Sequence, residues 1–67
     1  MLVESTAIRS IDYDPSRKRL EVTFVSGERY AYAKVPGAVH RAFVEAESKG
    51  RFFHAKIRDR FECERLG

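Results

Sequence analysis

Tyr30 and Tyr32 stand two residues apart in strand-forming sequence, so both rings project from the same face of a sheet. If that face is solvated, the pair is a stacking platform for unpaired nucleic-acid bases, each stacked base contributing roughly 1–3 kcal/mol. If it is the inner face, the rings are core. A second feature is cationic: Lys49, Arg51, Lys56, Arg58 and Arg60 follow one another with His54 among them and Asp59 as the acid inside the run. Such runs are usually a solvated helix face, but the lack of balancing acids between Gly50 and Arg58 suits a phosphate-binding edge. Arg17, Lys18 and Arg19 form a shorter basic run that keeps a turn soluble or, if it lies near the first, extends it into one patch.

Other chemistry finds little footing. Cys63 is the single cysteine and forms no internal disulfide, and with two histidines it gives no zinc-ligand spacing. Its neighbours Glu62 and Glu64 repel the thiolate a nucleophile needs, so a buried thiol is expected. His40 and His54 read as partly buried helix residues, with no serine, cysteine or aspartate in a recognised relation to either. Gly27, Gly37, Gly50 and Gly67 are too scattered for a phosphate loop. No enzymatic activity, metal or small-molecule cofactor is expected.

The elements that must position these side chains have little material to work with. A chain of 67 residues needs nearly every large apolar side chain for its core, leaving none to enclose a ligand, so ligands should meet the surface. A net charge of +3 favours acidic partners mildly. A reducing, cytoplasmic setting fits the cysteine content, and no apolar run is long enough to span a membrane. Beginning at Met1, the sequence reads as a complete small gene product of one domain, residues 1–67, with a flexible N-terminus over 1–5 and a monomeric state.

The first strand is expected over Ala7–Tyr13, with Ala7, Ile11 and Tyr13 on one face and Ile8 breaking the alternation. Asp14, Pro15 and Ser16 reverse the chain. From Arg19 to Phe24 the pattern is clean, Leu20, Val22 and Phe24 opposite Arg19, Glu21 and Thr23. The third strand, Arg29–Val35, returns antiparallel in one of two registers. A two-residue turn at Ser26–Gly27 pairs Val22 with Ala31 and puts both tyrosines on the polar face; a three-residue loop with Gly27 as a left-handed bulge pairs Val22 with Tyr30 and puts them with the core. Pro36 then starts a helix whose stripe is Val39, Ala42, Phe43 and Ala46, ended by Gly50 in the left-handed conformation. A second helix runs from Arg51 to Asp59, with Phe53 and Ile57 inward and Arg51 and Arg58 together on the outer side. Phe61–Leu66 closes the chain as a short strand or, alternatively, a docked tail. The whole is an α+β fold: a three-stranded antiparallel meander, with a short fourth C-terminal strand, packed against two helices.

Leu20-Glu-Val-Thr-Phe24, Gly27, Tyr30-Ala-Tyr32, Val35-Pro36, Ala46-Glu-Ser48-Lys49-Gly50-Arg51-Phe52-Phe53 and Ile57-Arg58, taken in order, resemble the KTSC family, small domains named for the C-terminal part of certain lysyl-tRNA synthetases. The likeness runs from about Ser5 to Leu66; His54 stands where that family has asparagine. It implies a bacterial single-domain protein or a synthetase appendage, with no established activity and RNA binding proposed. The expected role is an RNA-binding module using Tyr30, Tyr32 and the basic second helix. The alternative is a protein-interaction module or small homo-oligomer.

Overall fold

The computed structural model describes residues 1–3 and 5–67. Four strands, β1 (Ile8–Asp14), β2 (Arg19–Phe24), β3 (Arg29–Tyr32) and β4 (Cys63–Arg65), form one open antiparallel sheet in the order β1-β2-β3-β4. Helices α1 (Gly37–Glu45) and α2 (Lys49–Phe52) fill the chain between β3 and β4, and α2 runs on into a π turn over Phe53–Ile57.

The break in alternation at Ile8 has a structural cause. Ile8 pairs with Phe24 and Ser10 with Thr23, so Arg9 is an extra residue in β1, a bulge that returns Ile8 to the same face as Ile11. Both isoleucines are buried, while Ala7, expected beside them, is exposed. The β2–β3 hairpin takes the three-residue loop: Phe24 N–H donates to the Glu28 carbonyl at 2.8 Å, Gly27 has φ 100°, and Val22 pairs with Tyr30. This register places Leu20, Val22, Phe24, Tyr30 and Tyr32 on the helix side.

Residues 1–3, expected to be flexible, lie along β1. Ile11 N–H donates to the Met1 carbonyl at 2.8 Å, Val3 N–H to that of Arg9 at 3.0 Å, and the terminal ammonium meets Asp12 Oδ1 at 2.7 Å. They satisfy backbone groups that an open sheet edge would leave bare.

Helix α1 starts after Pro36 as its sequence requires, but it stops at Glu45, before Gly50. Ala46 is extended, Ser48 is the N-cap of α2, and its hydroxyl accepts from Arg51 N–H at 3.3 Å. The break is made by a capping serine, and Gly50 sits inside α2 with right-handed geometry rather than at a positive φ. Ala42, expected in the inward stripe, is exposed; Phe43 is buried, with Val39 and Val44 half-buried beside it. The core joins Ile8, Ile11, Leu20, Val22, Tyr32, Val35, Phe43, Phe53 and Ile57. Val35 is locked at both backbone groups: its N–H donates to the Lys18 carbonyl at 2.8 Å and its carbonyl accepts from the Tyr13 hydroxyl at 2.6 Å.

The two glycines make opposite predictions. A Cβ at Gly50 would meet only the Ala7 Cβ at 3.8 Å, an ordinary contact, so Gly50→Ala should raise stability by about 0.5–1 kcal/mol through helix propensity. Gly27→Ala should lower it by about 1 kcal/mol, because φ 100° disfavours any Cβ although nothing crowds the site. Urea denaturation of both variants reads the contrast directly.

Candidate nucleic-acid interface

Helix α2 and its π turn cross the sheet without covering the end where β2 and β3 join. The uncovered part is an open groove floored by aromatic side chains, Phe24 and Tyr30 half-buried, Tyr32 and Phe53 buried. Phe24 meets Tyr30 edge-on at 5.8 Å between centroids and Phe53 at 5.2 Å, and Phe53 meets Tyr32 at 5.7 Å. One wall is the hairpin, with Val25, Ser26 and Glu28; the other is the helical segment, with His54, Arg58 and Asp59. Cys63 of β4 closes the side.

The two tyrosines have different positions on this floor. Tyr32 is 3% exposed, so its ring faces are closed to a stacking base and it supports the groove from beneath. Burial is the main reason its phenol is pushed up to about 12, with the Cys63 thiolate charge adding to it. Tyr30 presents more surface and donates its hydroxyl to Glu28 Oε2 at 3.0 Å; that bond to a carboxylate raises its pKa. For Tyr32, a folded value above the unfolded one of about 10 means the unfolded chain loses the proton first, so stability holds up to about pH 10 and falls as pH rises towards about 12. Tyr32→Phe should remove that part of the alkaline loss, measured as melting temperature against pH.

The π turn decides which cations reach the groove. Arg58 N–H donates to the Phe53 carbonyl at 2.9 Å, an i→i+5 bond that inserts a residue into the turn and rotates everything after it. Arg51 and Arg58, expected on one side of a regular helix, therefore line different hollows. Arg58 stands in the aromatic groove with His54, its Nη1 at 3.4 Å from His54 Nδ1. Arg51 and Lys56 flank a separate hollow with Ala46, Glu47 and Phe52.

Among the other basic residues, Lys49 turns its ammonium back to the Ala46 carbonyl, and Arg60 is exposed beyond the π turn. Arg17 and Arg19 border a hollow facing Glu62 and Glu64, apart from Arg58, so the two basic runs do not merge around the groove. Arg19 and Arg29 both pair with Glu21, at 3.3 and 3.2 Å, which makes the outer sheet face an ion-paired surface rather than a cationic one.

Cys63, expected to be buried, is exposed, because β4 extends the sheet beyond the helices that cover it. His40 is half-buried as expected, stacked on Tyr13 with centroids 4.5 Å apart, and burial lowers its pKa, whereas His54, expected to be partly buried too, is exposed. Glu28 is the lining residue that sequence reasoning passed over. The three-residue loop pairs it with Phe24, on the face of Tyr30, so the signal lay in the hairpin register.

The KTSC domain model matches residues 4–61 of the chain. A crystal structure of a KTSC domain protein from Yersinia pestis is 43% identical and superposes with a TM-score of 0.94, covering 100% of this chain and 94% of that one. An uncharacterised protein of Stutzerimonas stutzeri (strain A1501) is 46% identical over 52 residues, 78% of this chain and 73% of its own length. A lysine–tRNA ligase of Nostoc sp. (strain PCC 7120) is 38% identical over 63 residues, 94% of this chain but 11% of the ligase. A match over most of the sequence and the same fold at this identity give one conclusion: the chain belongs to the KTSC domain family.

Proposed function

We propose that the chain is a cytoplasmic RNA-binding module whose contact surface is the aromatic groove and its cationic wall. The observation that carries this reading is the meeting of Tyr30 with Arg58 and His54 in one open groove, which sets a stacking surface beside a phosphate ligand. The likeness to a segment of lysine–tRNA ligases supports a structured RNA, tRNA in the first instance. Arg51, Lys56 and Arg60 lie outside the groove and add phosphate attraction around it. The rival reading, self-association through the sheet edge, is disfavoured by β4, a three-residue strand that presents Glu64 and Arg65.

Titration of labelled tRNA at about 50 and 200 mM salt tests the reading, with binding expected at the lower concentration and weakening steeply at the higher. Absence of binding at the lower concentration would overturn it. A salt-insensitive dimer seen by light scattering without RNA would favour the rival.

A further inference from the structure

The groove also has a chemical polarity that phosphate binding leaves unexplained. Lining the same groove as Arg58 is Glu28, a carboxylate that would only repel a phosphate. Yet it is held in place: Oε2 accepts from the Tyr30 hydroxyl at 3.0 Å, Oε1 from the Ser26 hydroxyl at 3.3 Å, and Arg65 lies 3.8 Å away. Its side chain remains 44% exposed, and a carboxylate has about four lone-pair sites, more than these two hydroxyl bonds use. Asp59, in the turn after the helical segment, is exposed, and among the described residues no hydrogen bond or ion pair orients it.

A fixed carboxylate beside aromatic rings selects among bases by their edges. Guanine offers two adjacent donors, N1–H and N2–H, matching the two carboxylate oxygens. Adenine and cytosine each set an acceptor nitrogen beside their amino group, and uracil flanks its N3–H with two carbonyls, so each turns a lone pair towards the carboxylate. We propose that the groove takes one unpaired guanine nucleotide of an RNA strand, its ring against Phe24 and Tyr30, its Watson–Crick edge on Glu28 and its phosphate on Arg58. The proposal rests on the RNA-binding reading and adds the base to it.

Short labelled uridine oligonucleotides with guanine, inosine, adenine or uracil at the centre are titrated with the full chain at about 50 mM salt. Guanine should bind about tenfold tighter than adenine or uracil, with inosine between because it keeps N1–H and lacks the amino group. Glu28→Gln, checked by its melting temperature, should erase the guanine preference, bringing the guanine oligonucleotide to within about twofold of the adenine and uracil ones. Equal affinity for every centre, or a guanine preference that survives Glu28→Gln, overturns the guanine site while the RNA-binding reading stands. No binding to any oligonucleotide or to tRNA overturns both.

Discussion

Phe43→Ala is expected to remove most of the stability of the fold, with a loss of about 3–5 kcal/mol. Phe43 is fully buried, stacks on Phe52 with centroids 5.4 Å apart and lies 6.4 Å from Phe53, so it joins α1 to α2 and both to the sheet. Truncation leaves a cavity where the helical layer meets the sheet. A domain this small holds on the order of 5 kcal/mol in total, so one such cavity removes most of it. Ala42→Ser, at the exposed neighbouring position, should move stability by less than about 0.5 kcal/mol. Chemical denaturation followed by circular dichroism separates the two, and an unchanged midpoint for Phe43→Ala would refute the packing of helices on the sheet.

Arg58→Glu should weaken RNA binding roughly 10- to 100-fold, because a charge-assisted phosphate contact of about 1.5–3 kcal/mol becomes a repulsion inside the groove. Arg51→Glu should cost several-fold at most, since Arg51 faces a separate hollow and contributes only long-range attraction. Both residues are exposed, so both variants should melt close to the parent. On a regular helix the two substitutions would be near equivalent. The asymmetry therefore tests the π turn and the groove together: equal losses would place the RNA along the whole helical surface, and no loss for Arg58→Glu would clear the groove of phosphate contact.

Much of the fold was legible from local pattern. The alternation of Arg19–Phe24, the Ser26–Gly27 turn, Pro36 before a helix and Phe53 and Ile57 four apart each express a short-range constraint of backbone geometry or of a single buried face. They determine the three-stranded meander, two helices and the side of β2 that faces inward. What they left open was phase. Whether Tyr30 and Tyr32 face the core turned on one loop residue at Gly27; Ile8 needed a bulge at Arg9; and the helix break fell at Ser48 because a hydroxyl capped the next helix. The side of the helical segment on which Arg58 stands was set by the i→i+5 bond to Phe53.

Most of these are small shifts of phase that local propensity scarcely distinguishes and that contacts distant in sequence must settle. The sequence by itself determined the chemistry available: the Tyr30 and Tyr32 pair and a run of cations. Only tertiary structure decided that Tyr32 became core, that Tyr30 met Arg58 and Glu28 in one groove, and that the remaining cations fell elsewhere. Side chains far apart in the chain share a site only when packing sets the phase of every element between them.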